Sequence, residues 1–389
     1  MENPAAAEDA LAALDVLSEE LKQAFRHWDE SAGAWSDERV DELARRAFAL
    51  QRAGNAPYRR YCRRLGVECD QVGGWREVPA VPTAAFREIS LVVGDPGDAA
   101  LEFRTSGTSR GESRRGCHRV RDPELYRFSL EATFFRFVLH RATGDVAARL
   151  PIGDAATRLP IGSFVPSFAD APHSSLSWMA DAVIGRFGAP SSRFLAAPDG
   201  VDWEDAKRFA ATAASGEEAV GLFGTTLAFD EWTRRLEAAG FGVGLPAGSF
   251  VMDTGGSKGL KTSAREDLLE RIQRCLGVPP DAVVNEFGMT ELLSQRYGSP
   301  AALVGPPWLR SRALDPVTLE ELPDGEVGVL AHFDLANAWS VCSVLTEDLG
   351  AVEDGVVRWV GRAQGSPPRG CSLATEELLR SQEAGRADP

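Results

Sequence analysis

Apolar residues recur at helical spacing over residues 8–28 and again over 37–54, where Ser36 stands in position to cap the second run. The next segment, "REVPAVPTAAFRE" (76–88), carries prolines that exclude a regular helix and read as an extended entry into the core. A strand then leads into "EFRTSGTSRGESRRGCHRV" (102–120), and a helix from Pro123 to His140 follows an Asp122 cap. "SSLSWMADAVIGRFG" is a further helix, and "EEAVGLFGTTLAFDEWTRRLEAAG" reads as strand, loop and helix, ending at Gly240. "GSFVMDTGGSKGL" is a strand breaking into a glycine loop, with a helix from near Ser263 to Leu276. "DAVVNEFGMTELLSQRYG" is a strand followed by a turn. Strands alternating with helices predict an α/β fold with a parallel sheet. From Leu314 to Val360 the pattern changes to short strands with the turns "PDGEVG" and "EDGVV", which predicts a small β subdomain. The expected organisation is a helical segment over 1–95 packed on the core, an α/β core over 96–310, and the β subdomain with a C-terminal tail over 311–389.

Composition narrows the picture. A chain of 389 residues suits two or three packed subdomains, and 44% hydrophobic content is that of a globular protein. No apolar run approaches the ~20 residues needed to span a bilayer. The start, "MENPAAAEDALAALDVLSEELKQAF", has acids where a signal peptide wants positive charge, so a cytoplasmic location with reduced thiols is expected. A net charge of -15 argues against a general binder of nucleic acid or anionic membrane. The arginines of 102–120 are an exception in an acidic protein, and they point to a small anion. None of Cys62, Cys69, Cys117, Cys275, Cys342 and Cys371 forms a CxxC pair, and no histidine lies at zinc-finger spacing, so no structural zinc is expected. Cys275 and Cys342 read as small buried hydrophobes.

Three strand-to-loop junctions are rich in Gly, Thr and Ser, where α/β sheets bind ligands. The first offers the hydroxyls of Thr105, Ser106, Thr108 and Ser109, with Gly107 and Gly111 letting the backbone approach an anion. It lacks the GxxxxGK[ST] spacing of a Walker loop, which weakens the case for a plain nucleotide hydrolase. "NEFGMTE" sets Phe287, Gly288, Thr290 and Glu291 close together. An aromatic can stack on a base, a threonine can donate to phosphate, and a glutamate suits magnesium shared with phosphate oxygens.

These loops resemble those of the adenylate-forming superfamily. "TSGTSRG" is similar to its triphosphate loop, "EFGMTE" to its aromatic-Gly-x-Thr-Glu motif, "TEDLG" to its ribose-binding segment, and "VGR" (360–362) to its hinge-proximal arginine. Within that superfamily the chain resembles the acyl-protein synthetases of bacterial luminescence operons. The resemblance rests on "VPTAAFRE", "SSLSWMAD", "LFGTTL", "VMDTGGSKG", "NEFGMTELLSQRY" and "GRAQGSPPRGCSL", in order over 76–373. It implies an α/β large domain with parallel-sheet subdomains and a small β subdomain, and it implies ATP and Mg2+ as cofactors. Thr105, Ser106, Gly107, Thr108 and Ser109 would hold the β- and γ-phosphates. Here Ser109-Arg110 replaces the usual Thr-Gly, and Arg110, Arg114 or Arg115 could supply charge. Gly255 and Gly256 would lie along the adenine and Phe287 would stack on it, with Gly288 in the turn. Thr290 would bind the α-phosphate, Glu291 the magnesium, and Asp348 the ribose with Arg362 beside it.

The chain stops at Pro389, and its tail "SLATEELLRSQEAGRADP" holds no lysine, so the lysine-bearing lid of acyl-CoA ligases is expected to be absent. Cys371 in "PPRGCSL" follows a Pro/Gly stretch beside Arg369, where a cation would favour thiolate. The resemblance makes it the acyl acceptor, handing the group to a partner reductase. A stand-alone adenylating enzyme serving a carrier protein or CoA, and a degenerate nucleotide- or acyl-binding member, remain alternatives. The acid would be fatty or aromatic, lodged near Leu176–Phe187 and Leu222–Phe229, where Trp178 and Met179 stand. Lys258 is one of few lysines near the expected phosphate site.

Overall fold

Buried apolar strands alternating with amphipathic helices need cover on both sheet faces, and the chain supplies it. The computed structural model describes residues 4–28, 35–105, 115–140, 158–255, 262–363 and 368–384. These fall into two units, one of 1–129, 289–295 and 300–389, the other of 130–288 and 296–299.

The first unit opens with helices α1 (Pro4–Arg26), α2 (Asp37–Gly54) and α3 (Ala56–Arg64). Ser36 caps α2 by accepting the Arg39 N–H at 3.3 Å, as the sequence predicts. The proline-rich segment is extended over β1 (Val81–Pro82). Beyond it, Thr83–Arg87 winds into 3-10 turns that bury Ala85 and Phe86 and leave Arg87 exposed. Strands β2 (Leu101–Arg104) and β3 (Cys117–Val120) pair antiparallel, and Thr105 and Gly116 close the base of the hairpin through two hydrogen bonds of 2.9 Å. Helix α4 (Pro123–Phe134) follows, with Asp122 accepting the Glu124 N–H at 3.0 Å, and π-helical turns continue it over Phe135–Leu139.

The second unit holds β4 (Ile161–Ser163), α5 (Ser175–Phe187), β5 (Arg193–Phe194), β6 (Ala196–Ala197), β7 (Gly200–Val201) and α6 (Trp203–Ala214). It continues through β8 (Gly221–Thr225), α7 (Thr226–Ala238), β9 (Phe250–Thr254), α8 (Thr262–Leu276), β10 (Val283–Phe287) and β11 (Arg296–Ser299). Strands β5-β4-β8-β9-β10 are parallel, and β11 runs antiparallel on β10. The strand residues Leu222 and Val251 pack with Phe229 and Trp232 of α7 and Ile272 and Cys275 of α8. The apolar segments expected to line an acid pocket include Leu222 and Phe229, which are buried in that packing, and Phe223, which is also buried.

Polar side chains anchor the carboxyl ends of these strands. Asp253, with no exposed surface, pairs with Arg265 and accepts from Thr226 Oγ1 at 2.7 Å and Asn285 Nδ2 at 3.3 Å. Glu286 is buried beside it and accepts from Thr254 Oγ1, its register partner across the β9–β10 ladder.

The first unit ends with an antiparallel sheet of β12 (Ala302–Val304), β13 (Leu309–Leu314), β14 (Gly328–Asp334), β15 (Ser343–Glu353) and β16 (Val356–Arg362). Their order is β13-β14-β15-β16-β12, with β1 added parallel to β15 at Val81 and Val344. The expected tail forms a helix, α9 (Arg369–Ala384). Its apolar side carries Cys371 and Leu378 into the interior, and Arg64–Glu377 and Arg60–Gln382 bonds tie it to α3. Trp308 centres a cluster with Phe25, Trp28 and Trp35, its Nε1 donating to Ser129 Oγ at 2.9 Å.

Two stability predictions follow from buried polar groups. Gln51 of α2 has no exposed surface, donates from Nε2 to Asn337 O and Ala338 O at 3.0 Å each, and accepts the Cys342 N–H at 3.2 Å. Gln51→Leu leaves these groups unpaired and should cost roughly 2–5 kcal/mol in urea unfolding. A loss below half a kcal/mol would refute the role. Burial raises the Glu286 pKa to about 7, against the Thr254 hydrogen bond that lowers it. The folded state therefore binds its proton more tightly than the unfolded chain does. This contribution is whole below pH 4.5 and is lost as pH rises toward about 7. Glu286→Gln should flatten that decline and gain up to roughly 3 kcal/mol at pH 8. Equal pH profiles of melting temperature for variant and parent would count against it.

Candidate active site

The second unit places its predicted site residues at the carboxyl ends of parallel strands, where sheets of this kind bind ligands. Thr225, Thr254 and Glu286 share one level through the β8–β9 and β9–β10 registers. Gly255 follows with φ +92°, in the left-handed region that favours glycine, and a Cβ there would meet nothing within 4 Å. Phe287 ends β10 half-buried and Gly288 is exposed after it. Ser106, Gly107, Thr108, Ser109, Arg110, Arg114, Gly256, Lys258 and Lys261 lie outside the described residues.

The first unit gathers the others. Asp348 of β15 and Arg362 of β16 are register partners, next to the β-bulge at Leu349/Gly350. Arg362 donates to Glu347 Oε2 at 2.9 Å with half its side chain exposed. Burial raises the Asp348 carboxyl above its ordinary range, and the Arg362 charge opposes the rise. Glu291 is 6% exposed. Burial pushes its carboxyl up to about 7, while Arg362 and Arg87 pull it down and Asp348 pushes it further up. Glu291 thus feels the charges of Asp348, Arg362 and Arg87, and Asp348 feels that of Arg362. Sequence reasoning found three of these four. Arg87 was within the quoted "VPTAAFRE" but went unassigned.

The turn bearing Thr290 and Glu291 is held by side chains that pattern alone did not single out. His118 Nδ1 donates to Thr290 O at 2.7 Å, and Asn337 Nδ2 donates to Glu291 O at 2.8 Å. Asp334 accepts from Leu293 N and Ser294 N at 2.9 Å each. Their only signal was a polar type in an apolar stretch, as in "AHFDLANAW".

Cys371 departs from expectation. It stands in the first turn of α9, 4% exposed, in a core of Leu314, Val329, Ala331 and Leu345. Its Sγ–H donates to Thr346 O at 3.3 Å. Burial, with Glu347 adding to it, pushes the thiol up to about 11, so the thiolate expected from the neighbouring Arg369 is not favoured in this packing.

Glu291 and Asp348 are hard oxygen donors in a place that penalises negative charge, which a divalent cation would relieve. Among the described residues no three His, Cys, Asp or Glu side chains gather as a metal cage. That donor set fits magnesium held by one or two carboxylates and completed by phosphate oxygens and water.

Parts of the chain are similar to known proteins. Residues 205–380 match the family model of the LuxE acyl-protein synthetases. The chain is 30% identical over 114 residues to the long-chain-fatty-acid–luciferin-component ligase of Vibrio harveyi, an overlap of 27% of this chain and 30% of that one. It is 33% identical over 84 residues to the ligase of the same name from Aliivibrio fischeri, covering 19% and 22% of the two chains. The alignments thus span less than a third of either relative. Among solved structures, 2-hydroxyisobutyryl-CoA ligase in the postadenylation state with R3-HIB-AMP matches with TM-score 0.57 at 14% identity, over 82% of this chain and 68% of that one. Its open conformation with 2-HIB-AMP and CoA matches with TM-score 0.57 at 16% identity, over 83% and 75%. The likeness to the ligase is one of fold. Residues 205–380 are thus similar to the LuxE acyl-protein synthetases, and the chain shares its fold with 2-hydroxyisobutyryl-CoA ligase.

Proposed function

We propose that this protein activates a carboxylic acid with ATP and passes the acyl group to a cysteine thiol. The observation that carries the reading is the grouping of Glu291 with Asp348 and Arg362 in one unit, on the turn that also bears Thr290. The names of the relatives make a long-chain fatty acid the first acid to try.

A carboxylate is a poor electrophile until it carries a leaving group. Its oxygen attacks the α-phosphorus of ATP, the bond to the bridging oxygen breaks, and pyrophosphate leaves with the electron pair. Catalysis of such a step is positioning and neutralisation of charge. Thr290 donates its hydroxyl to the α-phosphate, Asp348 accepts from the ribose hydroxyls, and Arg362 and Arg87 offset anionic oxygens. By resemblance of their motifs to those of adenylate-forming enzymes, Thr105, Ser106, Gly107, Thr108 and Ser109 would take the outer phosphates, and Gly255, Gly256, Phe287 and Gly288 the adenine. Glu291 would hold magnesium, which when bound would supply positive charge for the leaving pyrophosphate. In the second step a thiolate forms the C–S bond and AMP leaves with the electrons of the broken C–O bond.

Cys371 is the proposed thiol. In this packing it is buried and protonated, so it must leave its seat against Thr346 before it can react. The same burial favours a second reading, in which the adenylate goes to an external thiol on a carrier protein or CoA and Cys371 is a core residue. No helix among the described residues is long and apolar enough to cross a membrane.

Acid-dependent exchange of labelled pyrophosphate into ATP tests the first step. Glu291→Gln should lower the exchange about 100-fold, with folding intact by circular dichroism. Exchange at the parent rate with the same magnesium dependence would remove Glu291 from the site. Intact-mass analysis after incubation with ATP, magnesium and the acid tests the second. One hydroxylamine-labile acyl mass is expected on the parent, and Cys371→Ala should keep exchange while losing the adduct. A variant that still gains the acyl mass would overturn the assignment of Cys371.

A further inference from the structure

Thr290 O and Glu291 O are consecutive carbonyls, and each receives a side-chain N–H from a different part of the chain. Asn337 holds the second, and Asp334, three residues before it, holds the amides of Leu293 and Ser294. The first is held by His118, which comes from β3 of the β2–β3 hairpin, where it pairs with Phe103. A carbonyl can only accept, so Nδ1 carries the proton. Burial lowers the ring's pKa to about 4, and the imidazole is neutral at physiological pH. Phe86 packs edge-on against it with centroids 5.6 Å apart. Its Nε2 is buried with no hydrogen-bond partner among the described residues. Leaving a ring nitrogen so costs free energy that an apolar residue of similar shape would not incur. Simple filling of space therefore does not account for histidine here. What the imidazole adds is one donor at a fixed distance from its backbone, aimed at one carbonyl.

We propose that His118 is a positioning residue for the turn Thr290–Glu291, fixing the Thr290 carbonyl so that the Glu291 carboxylate meets a nucleotide-bound magnesium ion without rearranging. This rests on the reading of Glu291 given above. Fixing a carboxylate before the ion arrives removes an ordering cost from binding. Loss of the donor should therefore appear as weaker magnesium-assisted binding of ATP, with binding of ATP alone unchanged.

Two conservative variants separate position from polarity. In His118→Asn the amide nitrogen sits where Nδ1 sat and can still donate to Thr290 O. In His118→Gln it lies one carbon further out, where Nε2 sat. ATP binding is measured by equilibrium dialysis in EDTA and again in saturating magnesium, with a melting temperature for each protein. The factor by which magnesium tightens ATP binding should stay within about twofold of the parent in His118→Asn and fall at least ~5-fold in His118→Gln. An unchanged factor in His118→Gln overturns the proposal. Equal losses in both variants, or a loss in EDTA as large as that in magnesium, make His118 a packing residue and overturn it too. If the parent binds no ATP under either condition, the nucleotide reading of the site falls, and this inference with it.

Discussion

Asp334 has no exposed surface and accepts four hydrogen bonds, from the amides of Leu293, Ser294 and Ala336 and from the Ser294 hydroxyl. An isolated carboxylate in such a place would cost several kcal/mol, and burial does raise its pKa to about 6. The donors that lower it again are Ser294 and Leu293 of the turn after Glu291, together with the Ala336 amide. Residues 288–295 belong to no strand or helix, so no backbone ladder fixes them. Asp334, Asn337 and His118 hold their backbone, beside one turn bond from Leu292 N–H to Met289 O at 3.1 Å. Asn337 is in turn fixed because Gln51 binds its carbonyl and Ser340 N–H closes back on it at 2.9 Å. The candidate site thus depends on buried polar side chains standing in for secondary structure.

This explains what could be read from the chain and what could not. The elements with a strong period were legible: the Ser36 cap, the helix from Pro123, the strand Phe250–Thr254 and its following glycine, and the strand ending at Phe287. Thr290, Glu291, Asp348 and Arg362 stand out as candidates because they sit in short motifs whose chemistry is visible in the residue types. His118, Asp334 and Asn337 were not, since their partners lie 172, 41 and 46 residues away along the chain. Single-residue polarity inside an apolar run reports that a buried partner exists, but not which one. Helix α9 was missed for a different reason. Its neighbouring prolines and glycines suggest a loop, and only its packing against α3 and the sheet residues Leu314, Val329 and Leu345 favours helix.

Cys371 shows the same limit in chemical terms. Arg369 is two places away in sequence, and proximity in sequence suggested a stabilised thiolate. In the helix the sulfur faces inward instead, toward Thr346 O, with Glu347 as the charge it feels. A thiol that must react with an adenylate gains from this only if it is to be kept from other electrophiles until needed. A raised pKa suppresses the nucleophile, and a seat in a core of Leu314, Val329 and Leu345 keeps water and oxidants away.

The charges around Glu291 complete the account. Two carboxylates raised above their ordinary range, Glu291 buried and Asp348 half-buried, lie under the influence of exposed arginines, Arg362 with 53% of its side chain exposed. Exposed guanidinium groups are screened, so they moderate the carboxylates without pairing them off. Had Glu291 been locked in a short ion pair, its pKa would be low and its oxygens spent. Here Arg87 forms no ion pair or hydrogen bond among the described residues, and Arg362 turns to Glu347. In a protein of net charge -15, a polyphosphate alone would be repelled by the field as a whole. On the proposed reading, a polyphosphate carrying a divalent cation would meet the same place with both signs answered, the cation by Glu291 and the anionic oxygens by the arginines. On that reading such an arrangement would favour the metal–nucleotide pair over either component alone, a selectivity that no single one of these four side chains could provide.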